Sequence, residues 1–263
     1  MRVPLHPQRI VSLAPNLTEI VYALGAGDRL VGDTTYCDYP EAARAVAKIG
    51  DTLHPSLERI IALRPELILV STASQLETFT SQLQERCISV YVTDPHDLEA
   101  VFRSITNLGE LLDEHEQAGT LVADLRARAA VVEQSVAGQS PVKVFYQLSR
   151  EPLYTAGRDS FVTDLIKRAG GESVTANVAG AWPRYSDEAA LAAHPEAIIM
   201  ASEDAMGTTA SSTELAEPLK HSPASENKHV YTINGALLSR PGPRLVDGLE
   251  QIARALHSEK FKP

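Results

Sequence analysis

Cysteine, tryptophan and clustered basic charge are what this 263-residue chain has least of. Its two cysteines, Cys37 and Cys87, are too few to staple a scaffold and form no CxxC or other metal spacing, so two free thiols are expected rather than a disulfide. A formal net charge of -10 with no basic run excludes phosphate-backbone binding, and nucleic acid with it. No apolar stretch approaches the roughly 20 residues that span a bilayer, so direct membrane insertion is not expected. The opening residues, Met1-Arg2-Val3-Pro4-Leu5-His6-Pro7, lack the basic and apolar regions of a secretory signal, so no export signal is expected in this chain. The eight histidines include no HxH or HxxxH pair, which argues against a protein-held metal or cofactor. There is no GxSxG elbow, no P-loop, no HExxH and no GxGxxG opening a helix after a strand. Gly25-Ala26-Gly27 and Gly170-Gly171 come where helices stop, as C-caps do. An enzyme is therefore not expected. A two-lobed cytoplasmic enzyme with Asp38 or His54 as acid or base is the rival from another functional class, since fold alone does not exclude catalysis.

What the chain does have is a segment that occurs twice. Ser56-Leu57-Glu58-Arg59-Ile60-Ile61-Ala62-Leu63-Arg64-Pro65-Glu66-Leu67-Ile68-Leu69-Val70 returns 130 positions later as Ser186-Asp187-Glu188-Ala189-Ala190-Leu191-Ala192-Ala193-His194-Pro195-Glu196-Ala197-Ile198-Ile199-Met200. In both copies a helix starting at the Ser is stopped by the Pro and gives way to an apolar run of strand length. Two similar lobes follow from this.

Strand-like runs at Arg9–Leu13, Leu30–Thr34, Leu67–Val70 and Ile88–Val92 alternate with helical stretches 17–25, 57–63, 76–86 and 98–112. Asn16 and Glu19 have capping-box spacing for the first of these helices. From His115 to about Val136 one long helix is expected, with Ala118, Leu121, Val122, Leu125, Ala129, Val132 and Val136 on one face. At 1.5 Å per residue it is a rod of about 33 Å. The second half repeats the order, with strands at Val142–Gln147, 197–200 and His229–Ile233 and helices at 161–169, 186–193, 213–220 and 243–257. The expected class is α/β: an N-terminal lobe 1–113, a linking helix 114–138 and a C-terminal lobe 139–263, each lobe a mostly parallel sheet covered by helices. Ligand would lie between the lobes, at the carboxyl ends of the strands.

The loops at those ends carry the candidate ligand contacts: Tyr36, Leu53, His54 and Thr72 in the first lobe, and Arg150, Tyr154, Trp182, Arg184, Tyr185 and Arg240 in the second. Aromatic rings give large contact area at low entropic cost, and guanidinium groups pair with carboxylate or amide oxygens. Each has a plain alternative. Trp182 could close the core, Arg150 and Arg240 could be solvated loop charges, and His54 could be an ordinary loop histidine or approach a metal in the ligand. Glu58 and Glu188 offset the positive end of a helix macrodipole, which suffices to explain either one; as a matched pair they also suit two-point docking to a basic partner.

The chain resembles the helix-hinged periplasmic binding proteins that feed ABC importers of cobalamin, haem and ferric siderophores. The residues that carry the resemblance are Arg9-Ile10-Val11-Ser12-Leu13-Ala14-Pro15 with Thr18-Glu19, Val31-Gly32 before Tyr36-Cys37-Asp38-Tyr39-Pro40, Leu57-Glu58-Arg59-Ile60 with Leu63-Arg64-Pro65-Glu66-Leu67-Ile68, Tyr154-Thr155-Ala156-Gly157 and Trp182-Pro183. It is most similar to the cobalamin-binding branch, through Tyr-x-Asp-Tyr-Pro at 36–40, Trp-Pro at 182–183 and Arg240. The resemblance implies a monomeric, extracytoplasmic, non-catalytic protein that captures a corrinoid and delivers it to a permease and its ATPase. Tyr36, Tyr154 and Trp182 would touch the corrin, and Glu58 and Glu188 would dock on the permease. The alternative is the same fold with haem or a ferric siderophore: haem would call on Tyr36, Tyr154 or His54 as metal ligand, and an anionic siderophore on Arg150, Arg184 and Arg240.

Overall fold

The computed structural model describes residues 6–71, 81–83, 85–86, 88–202 and 214–261. Its strands are β1 (Ile10–Ser12), β2 (Leu30–Gly32), β3 (Leu67–Ser71), β4 (Ser89–Thr93), β5 (Val142–Gln147), β6 (Gly171–Ser173), β7 (Ala197–Ala201) and β8 (Val230–Ile233). Two four-stranded sheets result, in the orders β2-β1-β3-β4 and β6-β5-β7-β8. Every pairing between these strands is parallel. The same strand order in both halves is the structural form of the repeated segment. The chain thus makes two α/β lobes, each a parallel sheet flanked by helices.

Two compact units are formed, Met1–Pro95 with Glu99–Asp124, and His96–Leu98 with Leu125–Pro263. The division falls inside one continuous helix, His115–Val136, whose bounds are those the apolar spacing predicts. Ala118, Val122, Leu125, Ala129, Val132 and Val136 on that spacing are all buried.

Each core is packed on its central strands. Val11, Leu13, Ile60, Ile68 and Val70 meet in the first lobe; Phe145, Leu153, Ala190, Ile198 and Leu219 meet in the second. Strands buried on both faces need no polar alternation, and Leu67, Ile68, Leu69 and Val70 are each wholly shielded. Burying one such side chain is worth roughly 1.5–3 kcal/mol.

The echoed segment has the same construction twice. Ser56 Oγ accepts from the Arg59 amide, and Ser186 Oγ from the Ala189 amide, capping helices Leu57–Ala62 and Asp187–Ala192. Arg64 and His194 then take left-handed conformations, φ 47° and 45°, immediately before the prolines. A non-glycine residue pays about 1–2 kcal/mol for that region, so its presence in both copies marks a turn imposed by the packing around it. The acid after each proline is a tie to its sheet. Glu66 Oε2 accepts from the Gln8 and Arg9 amides at 2.5 and 3.3 Å, and Glu196 Oε2 from the Lys143 amide at 2.9 Å.

Several expectations are corrected. The first helix runs Pro15–Ala23, with Ala14 as its N-cap and no side-chain cap. Asn16 and Glu19, expected as a capping box, are buried inside it, because Pro15 pre-sets the helical φ and starts the helix earlier. Gly170-Gly171 does end helix Phe161–Arg168, but Gly171 also opens β6, which was not foreseen. The stretch expected as one helix over 213–220 is, where described, a 3₁₀ turn Glu217–His221, followed by a short helix Pro223–Glu226. Between the strand expected at His229–Ile233 and the helix expected over 243–257, in place of a loop carrying Arg240, lies a short helix, Gly235–Ser239, with Arg240 as its C-cap. Most of the helix expected over 76–86 lies outside the described residues.

Candidate functional site

In the first lobe the candidate side chains sit on two loops. Tyr36, half-buried, follows β2 in a turn closed by the Cys37 amide donating to Thr34 O at 3.0 Å. Behind it lies a buried polar knot. Lys48 Nζ donates to Asp33 Oδ1 at 2.7 Å, to Cys37 O at 3.0 Å and to Ala43 O at 2.9 Å, so one ammonium folds the segment 37–48 back onto the end of β2. Cys37 is a buried free thiol whose sulfur accepts from Thr18 Oγ1 at 3.2 Å, and burial pushes its pKa up. Cys87 lies outside the described residues.

Asp33 is fully buried, and its Oδ2 has no hydrogen-bond partner among the described residues. Burial pushes its pKa up to about 6 from 3.8, against the lowering effect of Lys48. A carboxyl that holds its proton more tightly folded than unfolded stabilises the fold fully below pH 3.8, and that contribution is lost as pH rises through 6. Denaturant midpoints across pH 4–7 are therefore expected to fall for the wild type relative to Asp33→Asn, by on the order of 2–3 kcal/mol in unfolding free energy. Parallel profiles would contradict this.

Leu53 and His54 form the second loop. Asp51 Oδ1 accepts from the amides of Leu53 and His54 at 2.7 and 2.6 Å, which holds the Asp51 carboxyl below its ordinary range. Both candidates are exposed, Leu53 at 62%, far above a core leucine, and His54 Nδ1 rests 3.3 Å from Asp51. Gly50, at φ +120°, makes the turn: a Cβ there would stand 2.6 Å from His54 O. Asp51 was not picked out from the sequence, although an acid two and three residues ahead of paired loop amides is a standard turn signal. Thr72 lies outside the described residues.

In the second lobe, Arg150, Tyr154, Trp182, Arg184 and Tyr185 are brought onto one backbone platform. Tyr154 bridges to both Ser149 and Arg184, the Thr155 amide donates to Pro183 O at 3.2 Å, and the Gly157 amide donates to Ala181 O at 3.0 Å. Glycine is required at 157, because a Cβ there would sit 2.2 Å from Gly180 O. Beneath the platform, fully buried Thr155 and Thr175 donate to Tyr146 O and Ala156 O, each at 2.7 Å.

Trp182 keeps 36% of its surface open, so it is more than a core plug. It packs edge-on to Phe161, centroids 5.5 Å apart, and 6.4 Å from Tyr146. Tyr146 is fully buried with an unpartnered hydroxyl among the described residues, and burial drives its pKa well above the ordinary phenol range. Tyr185, half-buried, is tilted against Phe145 at 5.8 Å and packs on the edge of the core. Arg240 is buried, 5% exposed, which excludes the solvated-loop reading. Arg150 Nη1 pairs with the Glu214 carboxylate, a partner the sequence did not indicate.

Glu58 and Glu188 are both exposed in the first turns of their helices. Among the described residues no group of three or more His, Cys, Asp or Glu side chains is arranged to hold a metal ion. No described helix is long and apolar enough to cross a membrane. Two surface depressions of the second unit, one near Arg168 and Gly170 and one near Tyr231 and Leu256, include none of the candidate residues.

Comparison with known proteins gives consistent matches. The family described as periplasmic binding protein matches residues 10–237. An uncharacterised ABC transporter substrate-binding lipoprotein of Bacillus subtilis is 31% identical over 97% of this chain and 82% of its own length. The crystal structure of a periplasmic vitamin B12-binding protein of Vibrio cholerae superposes with a TM-score of 0.84 at 27% identity, covering 98% of this chain and all of that one. A periplasmic haem-binding protein from Pseudomonas aeruginosa gives 0.84 at 26% identity, over 96% and 93% of the two chains.

Proposed function

The chain belongs to the periplasmic binding protein family, and from that premise we propose that it captures a tetrapyrrole-type metal chelate and presents it to the permease and ATPase of an ABC importer. Its role is binding rather than catalysis, as the family's is. Within that ligand class the proposed ligand is a corrinoid, with residues 114–138 as the linking helix.

The observation that carries this reading is the platform that gathers Tyr154, Trp182 and Arg184 on laced backbone with the indole partly open. A partly open indole braced by two further rings is suited to the flat face of a macrocycle, since the bracing rings remove the entropy that a free side chain would lose on contact. Tyr36 in the first lobe and Arg240 in the second are further candidate contacts. Likeness to a vitamin B12-binding structure supports the choice of corrinoid.

Haem is the second reading, favoured by the likeness to a haem-binding structure at nearly the same identity. It would need Tyr36, Tyr154 or His54 on the iron. Calorimetric titration with cyanocobalamin, cobinamide and haemin separates the two. One-to-one binding of a corrinoid with haemin at least tenfold weaker is expected; the reverse order would leave the fold and family in place and overturn the corrinoid assignment.

A further inference from the structure

We propose that Glu214 is a specificity-determining residue: by neutralising Arg150 it makes the second-lobe part of the site favour uncharged, amide-bearing ligands over carboxylates. The proposal rests on the proposed function and on the candidate ligand contact Arg150 belonging to that site.

The pair is anchored from both sides. Gln147, the last residue of β5, is fully buried, and its one side-chain amide clamps two backbone groups across the strand end. Nε2 donates to Glu214 O at 2.9 Å, and Oε1 accepts from the Ala216 amide at 2.8 Å. Between those two residues Leu215 packs against the core of the lobe, and Ala216 lies within it. A buried amide with both ends satisfied fixes the backbone that carries Glu214, because breaking either bond would strand a polar group away from water. On the other side, Arg150 sits in a turn closed by Ser149 Oγ donating to Pro152 O at 2.7 Å and by the Ser149–Tyr154 bridge. The Arg150–Glu214 contact is thus made between two positioned backbones and is not a chance meeting of two loose side chains.

A lone guanidinium next to a ligand would attract carboxylates and pair with them bidentately. Once Glu214 occupies it, an arriving carboxylate meets a net-neutral pair and a like charge. The neighbouring acid Glu217 is taken up by Lys220 at 2.7 Å, and its carboxyl is held below the ordinary range chiefly by that hydrogen bond, with Arg150 and His221 adding smaller effects. An amide differs from a carboxylate in offering both a donor and an acceptor. It can donate to the remaining lone pairs of Glu214, which is 70% exposed in its side chain, and accept from Arg150, so the pair suits the amide-fringed edge of a corrinoid better than propionates.

The test measures dissociation constants for two ligand pairs that differ in rim charge: cyanocobalamin against a monocarboxylate made by hydrolysing one of its peripheral amides, and haemin dimethyl ester against haemin. In whichever pair binds, the wild type is expected to favour the uncharged member by about tenfold at low salt. Glu214→Gln should bring that ratio to near unity or invert it, and Arg150→Gln should widen it. A ratio unchanged in Glu214→Gln, in protein whose thermal midpoint shows it folded, overturns the proposal. If corrinoids do not bind but porphyrins do, the corrinoid reading fails while the porphyrin pair still decides on the charge filter. Binding of neither pair would remove Arg150 from a site of this class, and the filter with it.

Discussion

Trp182→Ala is expected to weaken ligand binding at least tenfold, the largest loss for any single side chain of the second lobe. The indole is the largest aromatic surface on the platform and remains 36% open while braced by Phe161 and Tyr146. Aromatic anchors of this kind carry a disproportionate share of binding energy, and truncating one commonly costs about 2 kcal/mol or more, which is over tenfold in affinity. Trp182→Phe keeps a flat ring on the same brace and should recover part of the loss. Calorimetry on both variants checks the pair. Affinity unchanged in Trp182→Ala would take the indole out of the site and leave it as a cover for Tyr146.

Joint replacement of Glu58 and Glu188 by Lys is expected to spare ligand binding and abolish importer-dependent uptake. Each is exposed in the first turn of a short helix capped by its own serine, at the same register in the two copies of the repeat. The macrodipole accounts for either acid at roughly 0.3–1 kcal/mol. It does not require both to face solvent at matched positions, whereas two-point docking to basic residues does, and charge reversal there turns attraction into repulsion. Uptake by cells that depend on this protein, compared with binding by the purified variant, separates the roles. Undiminished uptake would leave the dipole as the sole reason for the two acids.

Much of the fold was readable because its strongest signals are local. Leu67–Val70 and Ala197–Met200 are continuous apolar runs closed off by Pro-Glu, and buried parallel strands need nothing more. The long helix was readable from its apolar spacing alone. By contrast, β6 is three residues long, begins with glycine and exposes Glu172, so its strand character comes from pairing with β5 rather than from its own sequence. At Asn16 and Glu19 the capping-box spacing is overridden by Pro15, which starts the helix earlier with no side-chain cap at all.

Of the candidate site, the residue types were legible in the sequence and their distant partners were not. Tyr154, Trp182 and Arg184 stand out as aromatic and basic residues in turn-rich loops, and the backbone does bring their segments together. Tyr185 looks identical in sequence but packs its ring against Phe145 while remaining half-buried, because which face a loop residue presents depends on partners distant in the chain. Glu214 is 64 residues from Arg150, and the link between them passes through Gln147, which in sequence is only the polar end of a strand. Long-range pairs of this kind are fixed by tertiary packing and leave no local mark.

The most direct test of the central claim uses the fact that Trp182 is the chain's one tryptophan. Its fluorescence should be quenched in a saturable, one-to-one manner when cyanocobalamin is added at micromolar protein, with an end point that matches calorimetric stoichiometry. Emission unaltered by cyanocobalamin beyond the inner-filter loss seen with free tryptophan would contradict a corrinoid bound against this indole.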